Sequence, residues 1–487
     1  MSKIVSALNA VVWGAPALIL ILGVGLFLTI RLGAVQFRLL PGAFRTLMGN
    51  RTEQSADDVT PKQALCTALA ATVGTGNLVG VAGAICLGGP GAVFWIWICG
   101  LLGMATKYTE ALLAVRYREK RESGYAAGPM YIMTLGLGKN FRPMANVYAL
   151  FGIIAAFGVG CAAQINSAVV GMGSVLSSFG MVPSSGINLM LGIALAVSLG
   201  TLFLGGAKRI GRAAQLLVPV AAAGYVLMCL AVLILKADSV PHAFRAIFRG
   251  AVSPKAVTGG MLGSAFLALR VGCSRGVFTN EAGMGTASIA HGSAVGVHPA
   301  QQGMLGILEV FLDTIVICTL TALAILVSGV EISYGTDMGA ALTSRAFSAV
   351  LGDWASVAVA IFLILFAEAT VLGWGLYGAR CAEFLFGHGS WNRFMMIQSM
   401  VILISSVADT VAVWQISETV NALMAFPNLL TLAMLAPEAA RLTKDYIKSD
   451  GKTVSGGNYA DFHQCKQMRT LSHEKVPSSG YGSQERG

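Results

Sequence analysis

Long apolar runs separated by short polar segments make up most of this chain. At about 20 apolar residues per bilayer crossing, the pattern predicts an all-α integral membrane protein with about 11 transmembrane helices. The runs lie near 11–30, 63–87, 91–115, 145–178, 186–205, 214–235, 258–290, 303–329, 352–380, 394–412 and 414–437. The first run exceeds the apolar core of a signal peptide and only Lys3 precedes it, so we expect it to remain a transmembrane helix.

The composition agrees with a membrane setting. Of the 487 residues, 55% are hydrophobic and only 11% are charged, whereas about 25% are charged in a typical soluble domain. Eight of the nine cysteines lie in or at the ends of apolar runs, and no pair has CxxC spacing. We therefore expect buried cysteines that behave as small apolar residues, and neither a redox site nor a zinc site.

The net charge of +10 is best explained by membrane topology. Most Lys and Arg residues lie in the tail and in loops that share one side of the membrane, which is the cytoplasmic side in multi-pass proteins. This predicts a cell-membrane protein with its N-terminus outside and its C-terminus in the cytoplasm. The partner is then the lipid bilayer, and no nucleic acid is needed to explain the charge. In the outer loop 236–257, Phe244, Ile247 and Phe248 predict a short interfacial helix.

Glycines and uncharged polar residues interrupt the second apolar run. Gly74, Thr75, Gly76 and Asn77 follow one another near its middle. In hydrocarbon an unsatisfied backbone group costs several kcal/mol, so a helix break persists only where protein or a bound solute satisfies the freed groups. The stretch is therefore a candidate solute site. The alternative is helix packing, because Gly76 and Gly80 also form a GxxxG motif.

A second interrupted run follows five spans later, where Gly272 and Gly276 predict another break. A unit of five spans begins and ends on opposite sides of the membrane, so a second such unit must insert in the opposite orientation. Matched helix breaks in two inverted halves indicate the midplane site of a transporter. The predicted organisation is an N-terminal helix and basic loop (1–62), a first repeat (63–235), an inverted second repeat (258–437) and a disordered tail (441–487).

The ends of broken helices suit a zwitterion. Exposed N–H groups at the start of a half-helix attract a carboxylate, and exposed carbonyls at the end of one attract an ammonium group or Na⁺. Gly, Ala and Thr surround the breaks. The pattern therefore favours a small neutral amino acid as the substrate.

Several blocks of this sequence resemble those of a known family, the alanine or glycine:cation symporters, also called sodium:alanine symporters. The blocks are ALAATVGTGN at 68–77, GGPGAVFW at 88–95, GMATKY at 103–108, NEAGMG at 280–285 and LGW at 372–374. The resemblance covers roughly residues 10–440. It implies a fold like that of the leucine transporter, an inverted 5+5 repeat with one extra N-terminal helix, and inward transport of alanine or glycine with Na⁺. The coupling ion is expected to be Na⁺ or H⁺, and we expect no organic cofactor.

The resemblance also implies site residues. The positions that look like substrate contacts are Gly74, Thr75, Gly76, Asn77, Gln164, Gly272, Cys273 and Trp374. The alternatives are a buried Gln164 that bridges helices and a Trp374 with a packing role. The implied sodium ligands are the carbonyls of Ala70, Val73 and Phe366 and the hydroxyl of Thr370, oxygen donors of the kind that hard cations prefer.

The ninth span departs from the family pattern. The usual Ala-Phe-Ser-Thr reads here Ala367-Glu368-Ala369-Thr370, so one hydroxyl is lost and a carboxylic acid is gained. An ionisable residue within a span is a functional candidate by default. Three hypotheses stay open: Glu368 supplies oxygen to Na⁺, it titrates and makes the carrier proton-coupled, or it pairs with an internal cation.

Further ionisable residues lie in or near the predicted spans. They are Lys107, Glu110, Arg270, Arg275, Glu281, Glu309 and Asp313. We favour gate contacts or helix-helix ion pairs near the cytoplasmic half over a proton relay. His291 and His298 flank the inner loop after the seventh span, and we interpret them as solvated or capping residues.

Together these observations predict a secondary active transporter that works by alternating access. An intramembrane enzyme and a channel are the alternatives from other classes. The chain has no HExxH motif, and its GxSxG match at 272–276 lies within an apolar run with no predicted strand before it, so we expect no enzymatic activity. The sequence distinguishes neither alanine from glycine nor D from L isomers, and it assigns no oligomeric state.

Overall fold

The computed structural model describes residues 14–48, 59–121, 124–182, 184–253, 265–336, 339–387 and 389–449, with the backbone alone for 410–419. These residues are helical apart from connecting segments and one antiparallel hairpin of β1 (Glu119–Arg121) and β2 (Gly124–Ala126). The first part of the chain forms α1 (Ala15–Arg31), α2 (Val35–Met48), α3 (Pro61–Thr72), α4 (Val81–Gly88), α5 (Gly91–Arg116), α6 (Arg142–Phe157), α7 (Ala163–Ser178), α8 (Ser185–Phe203) and α9 (Gly206–Leu235).

The second part of the chain is also helical. It forms α10 (Val240–Val252), α11 (Ala265–Asn280), α12 (Thr286–His291), α13 (Pro299–Val310), α14 (Thr319–Val327), α15 (Gly339–Leu351), α16 (Trp354–Phe386), α17 (Ser390–Ser406) and α18 (Thr410–Lys448). π-Helical segments lie at Gly76–Gly80, Ile132–Leu137, Gly158–Ala162 and Phe311–Cys318, and shorter helical turns lie at Pro129–Tyr131, Lys139–Phe141 and Ala237–Ser239. Such π segments are frequent at functional sites.

Seven helical stretches of the described chain are long and apolar enough to cross a membrane, or up to nine if each bent pair is one span. The bent pairs are α1 with α2, at 76°, and α3 with the segment Gly76–Gly88, at 46°. Helix α17 has only 17 residues, and part of the seventh predicted span lies outside the described residues. The count of eleven spans and the inverted repeat therefore stay predictions.

Burial separates the interior helices from the outer ones. In α5, 83% of the most apolar window is buried within the protein, whereas in α8 the fraction is 22%. Helix α5 packs most extensively on α13 and α11. Helix α8 thus leaves most of its apolar surface uncovered by the described residues, while α5 forms the centre against which the broken segments pack.

The first predicted break is confirmed, but the second was placed wrongly. Gly272 and Gly276 lie inside the continuous helix α11, where a Cβ on Gly272 would come within 2.4 Å of a backbone oxygen of α5. These glycines let two helices pack closely. The chain breaks instead at 281–285, where Glu281, Gly283 and Gly285 have φ values of 55°, 94° and 82°.

Several elements were not foreseen from the sequence. Helix α2 occupies part of the predicted loop, and α15 packs on the first broken span, with the Thr343 hydroxyl donating to the Leu78 carbonyl at 3.0 Å. Residues 441–448, predicted as disordered tail, continue α18 as a helix. The rest of the predicted tail, from 450 onward, lies outside the described residues. The short helix predicted in the loop 236–257 is confirmed as α10.

Candidate substrate and sodium site at the helix breaks

The first break redirects two backbone donors to side chains. The N–H of Gly74 donates to Asn77 Oδ1 at 2.9 Å, and the N–H of Thr75 donates to Gln164 Oε1 at 3.3 Å. In an unbroken helix the N–H of Gly74 would instead bond the carbonyl four residues earlier, that of Ala70. The Ala70 carbonyl thus loses its helical donor at a buried position, which is the kind of oxygen that a hard cation needs.

Thr370 of α16 lies directly against this break. A Cβ on Gly74 would be 2.4 Å from Thr370 Oγ1, so only glycine fits there without displacement. Thr370 is 1% exposed, and its hydroxyl has no hydrogen-bond partner among the described residues. Buried polar groups are nearly always paired, so this hydroxyl needs a partner. A sodium ion between Thr370 and the Ala70 carbonyl would supply one.

The other two predicted sodium ligands lie on the same two elements. Val73 ends α3 with ψ at 91°, so its carbonyl departs from the helical direction. Phe366 lies one turn before Thr370 on α16 and is fully buried, with its ring centroid 6.1 Å from that of Tyr225. The role of their carbonyl oxygens as sodium ligands, with the Thr370 hydroxyl, stays a prediction.

Gln164 bridges two elements. Its Oε1 accepts from the Thr75 hydroxyl at 2.7 Å, and its Nε2 donates to the Val159 carbonyl at 3.0 Å, within the π segment Gly158–Ala162. This is the bridging role that we set against direct substrate contact. The bridge holds Thr75 at the break, so Gln164 shapes the candidate site whether or not it touches a substrate.

A chain of hydrogen bonds joins the first break to the second. Asn77 Nδ2 donates to Asp313 Oδ1 and the Thr314 hydroxyl donates to Asp313 Oδ2, both at 2.7 Å. Asn280 Nδ2 donates to Thr314 Oγ1 at 3.1 Å, and Asn280 Oδ1 accepts from the N–H of Ala282 at 2.9 Å. Asp313 is the only ionisable side chain in this series of hydrogen bonds. We predicted it as a gate or ion-pair residue, but its hydrogen-bond donors here are neutral.

A carboxylate of the protein occupies the second break. Glu110 Oε1 accepts from the N–H groups of Gly283 and Gly285, each at 3.0 Å, and from Asn428 Nδ2 at 2.7 Å. The start of a helix favours negative charge, and Glu110 already supplies it to α12. The N–H groups of Gly283 and Gly285 are therefore not available to a substrate carboxylate. Sequence reasoning noted the charge of Glu110 but missed this role.

Trp374 connects α16 to the second break. Its Nε1–H donates to Glu281 Oε1 at 2.6 Å, and Glu281 Oε2 accepts from the Thr286 hydroxyl at 2.6 Å. Trp374 is fully buried and packs over Gly160, where a Cβ would lie 2.2 Å from the Trp374 Cβ. The indole is thus held in one orientation. Its carboxylate partner could not be predicted, because Glu281 is 93 residues away in the chain.

The remaining predicted substrate residues lie on two elements, which are the π segment after the first break and helix α11. Gly76 lies at the start of the π segment Gly76–Gly80, where a Cβ would lie 3.1 Å from Thr279. Gly272 and Cys273 lie within α11, and the Cys273 carbonyl contacts the Cys99 thiol at 3.9 Å. The prediction that Gly272 and Cys273 offer backbone groups to the substrate required a helix break, and α11 is continuous at these residues.

Lys107 and Glu309 form the buried ion pair that we favoured for these residues. Lys107 Nζ lies 3.0 Å from Glu309 Oε1, and His291 Nε2 lies 3.0 Å from Glu309 Oε2. Gln302 Nε2 lies 2.6 Å from His291 Nδ1. The interpretation of His291 as solvated or capping was therefore wrong, because it is fully buried in this network.

His298 caps a helix, as predicted. It precedes α13, and its Nδ1 accepts from the N–H of Ala300 at 3.1 Å in a capping box completed by Gln301. Burial lowers the pKa of His298 to about 4, so the ring is neutral and able to accept this bond at neutral pH.

Glu368 lies away from the first break. It is about 200° around α16 from Thr370, on the face that carries Gly375, which packs on Phe203 of α8. Glu368 is half-buried and forms no hydrogen bond or ion pair with a described residue. The hypotheses of a sodium ligand and of a structural ion pair thus lose support, and titration stays a hypothesis.

The chain matches a family model along most of its length. The model described as the sodium:alanine symporter family matches residues 1–458. The chain belongs to this family. The resemblance recognised in the sequence blocks is thereby confirmed.

Two relatives match this symporter along nearly its whole length. The sodium/alanine symporter AgcS of Methanococcus maripaludis is 40% identical over 450 residues, which cover 91% of this chain and 97% of AgcS. The relative named “Probable sodium/glutamine symporter GlnT”, from Bacillus subtilis, is 34% identical over 453 residues, which cover 92% of this chain and 91% of GlnT. The two names give different substrates, so the family alone does not settle specificity.

A solved structure supports the fold. The crystal structure of MhsT in complex with L-phenylalanine matches with a TM-score of 0.57 and 13% identity, covering 81% of this chain and 99% of MhsT. At this identity the match shows the fold alone, which is that of the leucine transporter. With its family, the fold makes this protein a multi-pass membrane symporter that couples amino-acid transport to Na⁺. Its relatives are transporters rather than enzymes.

Proposed function

We propose that this symporter carries a small neutral amino acid, alanine or glycine, into the cell together with Na⁺. Transport proceeds by alternating access around a site at the first break, with one helical bundle rocking against the other. The proposed topology has the N-terminus outside, the C-terminus in the cytoplasm, and repeats at 63–235 and 258–437. The asymmetric placement of Lys and Arg supports this orientation.

The buried Thr370 hydroxyl is the observation that carries the sodium proposal. It has no hydrogen-bond partner among the described residues, and it touches Gly74 where α3 loses its helical hydrogen bonding. Thr370 and the carbonyls of Ala70, Val73 and Phe366 would hold the ion. Bound there, Na⁺ would link α3 to α16, so its binding energy would favour the arrangement in which these helices meet.

The proposed amino-acid site lies beside the sodium site. Gly74, Thr75, Gly76 and Asn77 form its first-break side, with Gln164 bracing Thr75. Trp374, held by Glu281 at 2.6 Å, limits the space for the side chain. Close packing at the first break supports a small substrate, because Thr370 and Thr279 already lie against Gly74 and Gly76. The fixed indole of Trp374 supports it further.

Proton coupling through Glu368 is the alternative form of the same function. Glu368 is a half-buried carboxylate without a hydrogen-bond or ion-pair partner among the described residues, and an ionisable side chain within a membrane span is a functional candidate by default. Glu368 and Thr370 lie on different faces of α16, so Glu368 is separate from the proposed sodium site. The two coupling modes therefore respond to different substitutions.

Uptake of labelled alanine into proteoliposomes tests the proposal. An inward Na⁺ gradient, an inward proton gradient and no gradient are compared for the wild-type protein and for T370A, T370S and E368Q. We expect accumulation driven by Na⁺, lost in T370A and retained in T370S, because serine keeps the hydroxyl. Retention in E368Q would place coupling away from that carboxylate.

Other outcomes would change the proposal. Accumulation driven only by protons and abolished in E368Q would transfer coupling to Glu368. No accumulation of alanine or glycine under either gradient, with glutamine accumulating instead, would refute the substrate assignment. Flux that never exceeds equilibration would indicate a channel, and chemical turnover of the amino acid would indicate an enzyme.

A further inference from the structure

Glu110 and Asn428 clamp the backbone of the second break from two helices. Glu110 of α5 accepts from the N–H groups of Gly283 and Gly285, each at 3.0 Å. Asn428 of α18 donates from Nδ2 to the Gly283 carbonyl at 2.8 Å, and also to Glu110 Oε1 at 2.7 Å. Three donors therefore converge on one oxygen of Glu110, and this oxygen acts as an acceptor only.

Two further helices hold the same segment. The Tyr148 hydroxyl of α6 donates to the Met284 carbonyl at 2.9 Å. The Trp374 indole of α16 donates to Glu281 Oε1 at 2.6 Å. The second break is thus fixed from four helices, and any movement of the break would have to weaken these bonds.

The charges around Glu110 do not balance. We call Lys107, Glu110, Glu281 and Glu309 the buried charge cluster, because each is at most 1% exposed. Lys107 Nζ lies 3.0 Å from Glu309 Oε1, and neither Glu110 nor Glu281 forms an ion pair with a described residue. One ammonium group and three carboxylates would carry a net charge of −2. Uncompensated charge is strongly disfavoured in the interior, so the cluster needs additional positive charge.

His291 supplies at most part of that charge. Its Nε2 lies 3.0 Å from Glu309 Oε2, and its Nδ1 lies 2.6 Å from Gln302 Nε2. A protonated His291 would still leave the cluster at −1. No three His, Cys, Asp or Glu side chains in the described part of the chain are grouped so that they could hold a metal ion. A proton is therefore the cation that suits the cluster.

One carboxylate oxygen of the cluster is available for a proton. Both oxygens of Glu281 and both of Glu309 face a hydrogen-bond donor or a cation, at 2.6–3.0 Å. Glu110 Oε1 accepts the three hydrogen bonds of the clamp. Glu110 Oε2 is buried and has no hydrogen-bond partner among the described residues. Geometry thus assigns the proton to Glu110 Oε2.

We propose that Glu110 takes up a proton on Oε2 and that this proton weakens the clamp on the second break. The added proton converts the carboxylate to a neutral acid, and charge-assisted hydrogen bonds are roughly twice as strong as neutral ones. Gly283 and Gly285 would then be held less firmly. Glu110 lies six residues before the end of α5, or about 9 Å along the helix, on the side proposed as cytoplasmic. The effect on transport rests on the proposed function, whereas proton binding does not.

Other titratable groups face Glu110 from the neighbouring elements, and α18 contributes the neutral Asn428. They are Lys107 on α5 itself, Tyr148 on α6, Glu281 in the break, Glu309 on α13 with its partner His291 on α12, and Tyr377 on α16. The carboxylates attract a proton to Glu110 and Lys107 opposes it. Substitution of Glu110 itself is therefore the direct test.

Infrared spectroscopy of the purified protein in detergent tests proton binding without requiring transport. Exposed Asp and Glu side chains ionise near about pH 4, so a carboxylic-acid band that persists above about pH 6 reports a buried acid. Wild type, E110Q and E438Q are compared. Glu438 is the matched control, because its partly exposed carboxylate pairs with Arg116 and Arg441. We expect the band in wild type and E438Q, and its loss in E110Q.

Asn428→Ala is a second variant that leaves Glu110 in place. It removes a donor that supports the carboxylate at 2.7 Å, so the acid band should persist to a pH higher by about one unit or more. Thermal unfolding confirms that each variant is folded. A band that is absent from wild type above about pH 6, unchanged in E110Q, or unshifted in N428A would overturn the assignment of the proton to Glu110.

Alanine uptake into proteoliposomes tests the effect on the clamp. The Na⁺ gradient is fixed and the pH is equal on both sides, so no proton gradient contributes. We expect wild-type uptake to become faster as the pH falls from about 8 to about 5, and E110Q to lose most of this dependence because its residue 110 is always neutral. Parallel pH profiles would overturn the weakened clamp. Absence of uptake in every protein, with the infrared band present, would contradict the proposed function instead.

Discussion

Gly74→Ala tests the proposed sodium site by steric means. The added Cβ would lie 2.4 Å from Thr370 Oγ1 and 3.4 Å from Gln164 Oε1. The first distance is about 1 Å inside ordinary van der Waals contact, so Thr370 or the break must move. The φ of Gly74 lies outside the left-handed region, so the alanine backbone is unstrained and the effect is one of contact alone.

The expected magnitude follows from overpacking. Forcing a methyl group into a packed site typically costs about 1–3 kcal/mol. If this cost falls on the arrangement that binds Na⁺, the Na⁺ concentration for half-maximal uptake rises about 5–150-fold, at about 1.4 kcal/mol per tenfold change. Thr370 is the group displaced, so the loss should appear in the Na⁺ dependence before it appears in alanine affinity at saturating Na⁺.

Gly80→Ala is the matched control on the same segment. A Cβ there would meet only the Arg275 side chain, at 3.9 Å, which is ordinary contact. Alanine uptake is measured against Na⁺ for both variants, and thermal unfolding confirms that each is folded. Wild-type Na⁺ dependence in folded Gly74→Ala protein, or equal impairment of both variants, would refute the placement of Na⁺ beside Thr370.

Three further predictions concern the contacts around the site and at α13. Trp374→Phe removes the indole N–H that Glu281 accepts at 2.6 Å and shortens the wall; we expect lower thermal stability and stronger competition by glutamine against alanine uptake, and unchanged selectivity would contradict a wall role. Asp313→Asn removes the charge that Asn77 contacts at 2.7 Å while keeping the shape; uptake should need more Na⁺, whereas an unchanged Na⁺ titration would limit Asp313 to a structural role. His298 has a pKa lowered by burial to about 4, below its unfolded value of about 6.5; its contribution to stability is therefore present above pH 6.5 and is lost as the pH falls from about 6.5 to 4. His298→Asn keeps a capping side chain without titrating there, so unfolding temperatures measured across this range should fall less than in wild type.

The sequence indicated the first break and several of its neighbours. Gly74 to Asn77 form a local run of small and polar residues in an apolar span, so hydrocarbon solvation alone marks them. Thr370 and Gln164 do meet Gly74 and Thr75 in the structure. The second break was misplaced because a glycine in a membrane helix serves packing as readily as it serves a break, and Gly272 is of the packing kind.

What the sequence determined by itself is the membrane setting, the family and the positions of most apolar helices, since each depends on local composition, local periodicity or contiguous motifs. Only the tertiary structure decided which charges meet. Glu110 occupies the second break, Glu281 holds Trp374, and Asp313 joins Asn77 to the chain that reaches Ala282. These partners lie far apart in the chain, so no local pattern encodes the contacts. Burial in a medium of low polarity requires each polar group to find a partner, but the packing of the helices determines which partner is within reach.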